Sequence, residues 1–194
     1  NKALAIKPDY ADAYNNMGNA LKEQGKLDEA IEAYNKALAI KPDYADAYNN
    51  MGIALKEQGK LDEAMKAYTK VLAIKPDYAE GYNNMGNALK EQGKLDEAIE
   101  AYNKALAIKP DSAEAYNNMG IALKDQGKLK EAIEAYNKAL TIKPDYAEVR
   151  HMISSLTGEK TTSPPRQYIE HLFDGYSKKF EESLVGNLEY KIPK

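Results

Sequence analysis

The chain has 194 residues, 43% of them hydrophobic, which is enough apolar material for a buried core. Lys and Arg total 27 against 30 for Asp and Glu, and this net charge of −3 excludes a polybasic arm for nucleic acids. The absence of Cys excludes disulfides, thiolate metal sites and a Cys nucleophile, and two His are too few for a histidine metal cage. Fifteen Tyr beside two Phe and no Trp indicate a repeated sequence.

A period of 34 residues organises most of the chain. Four consecutive repeats follow one another without insertion, at residues 11–44, 45–78, 79–112 and 113–146. Residues 1–10 have the same sequence as residues 35–44, so we expect them to be the end of the second helix of a truncated repeat. Since the chain also starts without Met, we expect it to be a fragment of a longer protein.

The first half of each repeat predicts one amphipathic helix. In the first repeat, Tyr14, Met17 and Leu21 recur at the three-and-four spacing of a single helix face. Gly25 is expected to end this helix, because Gly readily adopts the left-handed conformation found after helix ends.

The second half of each repeat predicts another amphipathic helix. Asp28 lies in its first turn, where a negative charge interacts favourably with the helix dipole, and Ala30 and Tyr34 belong to its apolar stripe. Pro42 should end the helix, and Asp43 is predicted to cap the next one. A single helical hairpin has no partner for its outer apolar surface, so the repeats must stack.

These residues resemble the tetratricopeptide repeat family over residues 1–158. The matching positions of the first repeat are Tyr14, Met17, Gly18, Leu21, Ala30, Tyr34, Ala37 and Pro42. The resemblance implies an all-α, right-handed α-solenoid of helix-turn-helix repeats. It also implies a concave groove lined by the first helix of each repeat.

The groove residues are predicted to be those facing away from the core stripe of each first helix. They are Asp12, Asn15, Asn16, Asn19, Asp46, Asn49, Asn50, Ile53, Glu80, Asn83, Asn84, Asn87, Glu114, Asn117, Asn118 and Ile121. An amide offers both a donor and an acceptor, so an Asn in this groove could pair with the backbone of an extended peptide of any sequence. The alternative is that these Asn are solvated or structural between helices, and that duplication copied them.

The sequence after residue 146 departs from the repeat. We predict a capping helix at residues 147–157, a Pro-containing linker at 158–166 and a helical tail at 167–194. Residues 167–193 resemble the segment that precedes class I S-adenosylmethionine-dependent methyltransferase domains in tetratricopeptide fusion proteins. No Gly-rich turn for that cofactor is present, so the chain itself is expected to be inert.

We therefore predict a protein-interaction scaffold that binds an extended or helical peptide on its concave surface. We expect no catalytic residue, no cofactor, no metal, no nucleic-acid or membrane partner, and a cytoplasmic location. Two alternatives stay open. The chain could be the substrate-recruiting arm of a methyltransferase, or it could self-assemble through its repeat ends or by docking of its tail.

Overall fold

A computed structural model describes residues 11–158 of the chain. This part contains nine α-helices, which confirms the expected all-α class. The first helices of the four pairs are α1 (Ala11–Glu23), α3 (Ala45–Glu57), α5 (Ala79–Glu91) and α7 (Ala113–Asp125). The second helices are α2 (Leu27–Ile40), α4 (Leu61–Ile74), α6 (Leu95–Ile108) and α8 (Leu129–Ile142), and α9 (Ala147–Thr157) follows them.

Three predicted segments lie outside the described residues. They are the end of a truncated repeat at 1–10, residues 159–166 of the predicted linker, and the predicted helical tail at 167–194.

The turn within each pair ends the first helix with a glycine. Gly25 and its three equivalents have φ between +73° and +79°, a region that is strained for residues with a Cβ. In the first repeat, the amide of Lys26 donates to the carbonyl of Leu21 over 3.0 Å and closes the turn. The predicted end of the first helix at Gly25 is therefore confirmed.

The predicted cap at Asp43 is wrong. The residue at the cap position of α3 is Tyr44, one residue later, and no side chain caps this helix. Ser112 occupies the same position before α7, and its hydroxyl accepts from the amide of Ala115 at 3.2 Å. A capping side chain must stand at the boundary residue itself, and a Tyr there has no acceptor within reach of the first-turn amides.

A tyrosine on each second helix packs directly against a glycine on the first. Tyr34, Tyr68, Tyr102 and Tyr136 are completely buried. A Cβ added at the facing glycine (Gly18, Gly52, Gly86 or Gly120) would lie 2.4–2.6 Å from Cε1 of the ring. The glycine thus lets the two helices approach until the ring fills the space between them.

Consecutive repeats stack by packing each second helix on the first helix of the next repeat. Ala54 of α3, for example, belongs to the same core cluster as Ala30 and Tyr34 of α2. The first helices of consecutive repeats also contact one another, whereas consecutive second helices make no comparable contact. The solenoid therefore curves with its first helices on the inner, concave side.

The Tyr–Gly contact predicts a large effect of a small substitution. Gly86→Ala should lower the free energy of unfolding by about 1–3 kcal/mol, because the new Cβ would overlap the ring of Tyr102. Gly93→Ala is the matched control, since its Cβ would meet nothing within 4 Å and costs only about 1 kcal/mol of backbone strain. Urea titration measures both. A Gly86→Ala protein as stable as the unchanged chain would contradict this account of the core.

Candidate functional site: the concave face

All sixteen predicted groove residues lie on the first helices α1, α3, α5 and α7. We call this surface the concave face. Each first helix carries two adjacent Asn, which differ in burial in the first three repeats, and we call them inner and outer. The inner residues are Asn15, Asn49, Asn83 and Asn117, and the outer residues are Asn16, Asn50, Asn84 and Asn118.

The inner asparagines support the concave face from beneath. Asn15, Asn49 and Asn83 are only 2–6% exposed, whereas Asn117 of the last repeat is half-buried. Each buried inner Asn accepts a hydrogen bond from the outer Asn of the following repeat. The distances from Nδ2 to Oδ1 are 3.0 Å for Asn50 to Asn15, 3.0 Å for Asn84 to Asn49 and 3.1 Å for Asn118 to Asn83.

Two inner asparagines also donate to the following repeat. Nδ2 of Asn49 lies 3.2 Å from Oε1 of Glu80, and Nδ2 of Asn83 lies 3.0 Å from Oε1 of Glu114. The amides and carboxylates of successive first helices therefore form a polar network across the repeat boundaries. A buried amide costs free energy unless it is paired, so this network fixes how neighbouring repeats align.

The outer asparagines keep hydrogen-bonding capacity on the surface. Asn50, Asn84 and Asn118 are half-buried, and each uses one N–H of its amide to reach the inner Asn of the preceding repeat. An amide has two N–H groups and one carbonyl oxygen, so one donor and the acceptor are left over. The bond to the inner Asn constrains the orientation of these leftover groups in the second, third and fourth repeats.

One position of the concave face is Asn in the first and third repeats and Ile in the second and fourth, and this alternation changes the hydrogen bonding in the core beneath it. In the first and third repeats the buried Tyr hydroxyl donates to an Asn, from Tyr34 to Asn19 and from Tyr102 to Asn87, both over 2.8 Å. In the second and fourth repeats Ile53 and Ile121 stand at that position. The hydroxyls of Tyr68 and Tyr136 there have no protein partner. The two kinds of repeat therefore differ inside as well as on the surface.

Burial makes the core tyrosines reluctant to ionise. Desolvation, together with the nearby carboxylates of Glu57 and Glu23, raises the pKa of Tyr34 from 10.0 to about 12. Desolvation is also the main cause that raises the pKa of the equivalent Tyr68, Tyr102 and Tyr136. These hydroxyls are therefore neutral throughout the physiological range.

Some charged residues of the first helices form ion pairs within the array. Asp46 lies 3.2 Å from Nζ of Lys75, and Nζ of Lys56 lies 3.1 Å from Oε1 of Glu91 in the next repeat. Lys90 is partly desolvated, and this burial lowers its pKa. Such exposed or half-exposed ion pairs contribute little to stability. Their charges mainly affect which partners the surface attracts, because complementary charges favour association.

A second set of bonds between repeats was not predicted from the sequence. Nε2 of Gln58 donates to Oδ1 of Asp28 at 2.8 Å, Gln92 donates to Asp62 at 2.9 Å, and Gln126 donates to Asp96 at 2.7 Å. One feature of the sequence could have indicated these bonds: Lys130 of the fourth repeat replaces the Asp that the first three repeats have at this position. No Gln-bearing first helix follows that repeat within the described residues, because α9 ends at Thr157.

The described residues form clefts on both sides of the array. At the edge of the concave face, a cleft of about 180 Å³ is lined by Glu80, Asn83 and Glu114 together with Lys109. Between consecutive second helices, clefts of about 560 and 280 Å³ have Tyr and Met side chains at their floors. These floor residues are Tyr48, Met51, Tyr82 and Met85.

Within residues 11–158, no group of three or more acidic or His side chains is arranged to hold a metal ion. None of the helices in this range has the length and apolar character needed to cross a lipid bilayer.

Sequence profiles of one family cover the whole array. A profile described as TPR repeat matches residues 18–59, 54–93 and 86–127, which together span more than half of the chain. Profiles described as tetratricopeptide repeat match residues 113–146 and 1–32. The chain belongs to the tetratricopeptide repeat family. No curated protein matches it at a significant level.

The tetratricopeptide array is similar to several solved structures. A crystal structure of MamA is 29% identical, with a TM-score of 0.68 over 75% of this chain and 85% of MamA. A structure of PilF from Pseudomonas aeruginosa is 26% identical, with a TM-score of 0.71 over 75% of this chain and 67% of PilF. A second MamA structure is 25% identical, with a TM-score of 0.65 over 94% and 98% of the two chains.

These matches support a protein-interaction scaffold with an all-α tetratricopeptide solenoid. The fold resembles that of non-enzymatic scaffold proteins.

The Tyr–Asn bond predicts different effects of one substitution in two repeats. Tyr102→Phe should cost about 1 kcal/mol of stability, because it removes the hydroxyl bonded to Asn87. Tyr68→Phe is the matched control and should cost nothing or stabilise the chain, because the hydroxyl that it removes has no protein partner. Urea titration of the two variants at neutral pH makes the comparison. Equal losses of unfolding free energy in the two variants would show that the bond to Asn87 contributes nothing to stability.

The raised tyrosine pKa values predict unfolding in alkali. The pKa of Tyr34 rises from 10.0 when unfolded to about 12 when folded, so the folded chain holds this proton more tightly. Its contribution is fully present below pH 10 and is lost as the pH rises through 12. Tyr68→Phe, which removes another such group, should reduce the loss of stability between pH 8 and pH 12. A pH dependence identical to that of the unchanged chain would contradict this assignment.

Proposed function

We propose that this chain is a scaffold that holds a peptide on its concave face, and that the peptide is extended and held mainly through its backbone, since a helical peptide has its backbone groups paired internally. The observation that carries the proposal is the row of outer asparagines. Asn50, Asn84 and Asn118 stand at the same position of successive repeats, and each has a donor and an acceptor left over after its bond to the preceding repeat. A peptide backbone offers the complementary groups at regular spacing whatever its side chains.

Preorganisation supports the same proposal. An Asn side chain that swings freely loses rotamer entropy when it binds, and this loss weakens the complex. The inner Asn49 holds Asn84 in place and is itself held by Glu80, so part of this cost is met when the chain folds. In this proposal the outer asparagines contact the peptide, and the inner asparagines act as positioning residues.

The residues around the row of outer asparagines suggest the chemistry of the peptide. Glu80 and Glu114 line the edge cleft, and carboxylates at that edge favour a peptide that carries basic side chains. Ile53 and Ile121 place a half-buried apolar side chain at every second repeat, which favours apolar peptide residues at matching intervals. We therefore propose a partner with mixed basic and apolar side chains.

The methyltransferase arm and self-assembly stay predictions. The first depends on residues 167–193, which lie outside the described part of the chain.

The proposal can be tested with an array of immobilised synthetic peptides of varied sequence. Peptides that bind the unchanged chain should bind the Asn50→Ala, Asn84→Ala double variant at least about tenfold more weakly, because two hydrogen bonds to the backbone are lost. N-methylation of the bound peptide should weaken binding similarly, since it removes backbone donors while keeping the side chains.

A second double variant provides the control. Asn103→Ala with Asn137→Ala makes the same chemical change at exposed positions of the second helices α6 and α8. This variant should bind the same peptides as tightly as the unchanged chain. Equal affinities for the two double variants would show that the row of outer asparagines does not contribute to peptide binding.

A further inference from the structure

Two clefts on the convex side of the array are built from equivalent residues. The α2–α4 cleft lies between the second helices of the first and second repeats, and the α4–α6 cleft lies between those of the second and third. Tyr48, Met51 and Leu55 of α3 form the floor of the first cleft, and the same three residue types of α5 form the floor of the second. The Tyr and Met of each floor are only half-buried, so both floors are accessible from the convex side.

The charged walls of the two clefts differ at one residue. The α6 wall of the α4–α6 cleft carries two carboxylates and one amine, from Glu97, Glu100 and Lys104. The α4 wall of the α2–α4 cleft carries one carboxylate and two amines, from Glu63, Lys66 and Lys70. The single exchange of Glu100 for Lys66 therefore changes the wall from net negative to net positive.

This exchange leaves two amines of α4 without a carboxylate partner. In α6, Nζ of Lys104 lies 2.8 Å from Oε1 of Glu100, one turn earlier. Because Lys66 stands at that earlier position in α4, Lys70 lacks this partner, and neither lysine forms an ion pair with a residue in the range 11–158. Like charges one turn apart destabilise a helix, so the folding of α4 does not account for this pair of lysines.

The α2–α4 cleft is also the larger of the two. Its volume is about 560 Å³, compared with about 280 Å³ for the α4–α6 cleft. Its lining extends from Glu63 to Lys70, which is about two turns of α4. Met51 on its floor is a flexible side chain that adapts its shape to different apolar groups. The cleft thus offers an adaptable apolar floor beside a basic wall.

We propose that the α2–α4 cleft binds an amphipathic helix of a partner protein that carries acidic residues along one flank. The apolar face of this helix contacts Tyr48, Met51 and Ile31. Two of its carboxylates, one turn apart, pair with Lys66 and Lys70. A fatty acid has a single carboxylate and leaves one of the two amines unpaired, so the spacing of the lysines favours the helix.

This site is separate from the peptide site proposed on the concave face. The α2–α4 cleft opens between second helices, whereas the outer asparagines stand on first helices. The chain can therefore hold one partner on each side, and failure of either proposal leaves the other intact.

A synthetic helix tests the proposal. The probe has about 14 residues, the length of α4, with Leu along one face, Glu on both flanks and a hydrocarbon staple that holds it helical. The control probe has Gln in place of each Glu. Fluorescence anisotropy with the full chain at low salt should show that the Glu helix binds at least about tenfold more tightly, because the Gln helix cannot form the two ion pairs.

Two variants with the same change in net charge assign the binding to the basic wall. Lys66→Glu gives the α2–α4 cleft the charges of the α4–α6 cleft, and it should weaken binding of the Glu helix at least about tenfold. Lys36→Glu changes an exposed residue of α2 that lines neither cleft, and it should leave the affinity unchanged. The Asn50→Ala, Asn84→Ala double variant should also bind the Glu helix normally, because it alters only the concave face.

The methionines locate the contact. In spectra of a chain labelled with carbon-13 at its methionine methyl groups, the Met51 signal should shift when the Glu helix is added, and the Met85 signal of the α4–α6 cleft should not. Absence of binding, equal affinity for the two probes, equal losses in Lys66→Glu and Lys36→Glu, or a shift of Met85 alone would each overturn the proposal. A Met51 shift caused by dodecanoate and not by the Glu helix would overturn it in favour of a fatty acid. A Met51 shift that appears on concentrating the chain alone would overturn it in favour of a second copy.

Discussion

The structure depends on the contact between one tyrosine ring and one glycine in every repeat. The ring of Tyr102 lies where a Cβ on Gly86 would be, so the separation of the two helices is set by an aromatic ring on one side and bare backbone on the other. Because this contact recurs in all four repeats, the hairpins have nearly the same shape. Hairpins of equal shape stack with the same geometry, and this regularity brings the concave-face side chains into rows.

Polar bonds between repeats add direction to this apolar stacking. Contacts between Ala and Leu side chains survive small shifts of one repeat relative to the next. A hydrogen bond such as that from Asn84 to Asn49 is lost after a much smaller shift, because its distance and angle limits are narrow. The Gln and Asp pair Gln92 and Asp62 fixes the same interface at the opposite end of the first helix. Two polar contacts at separated points of each internal boundary therefore determine how one hairpin is placed on the next.

The sequence predicted the helices and the turns, but only part of the role of each polar residue. Tyr14, Met17 and Leu21 identified a helix face, and Gly25 identified its end, because these signals are local. The predicted cap at Asp43 was wrong, because a cap must stand at the helix boundary itself, and that boundary lies one residue later, at Tyr44. Asn49 and Asn50 are adjacent and copied in every repeat, so nothing in the sequence tells the buried member from the half-buried one. That difference arises only from contact with the following repeat.

The alternation of Asn and Ile has a consequence for how the array opens. A linear array of hairpins unfolds in segments, and the least stable segment opens first. The hydroxyls of Tyr68 and Tyr136 have no protein partner, so their hairpins lack an internal bond that the first and third hairpins possess. We therefore expect the second and fourth hairpins to open more readily than the first and third, so that local opening would alternate along the solenoid.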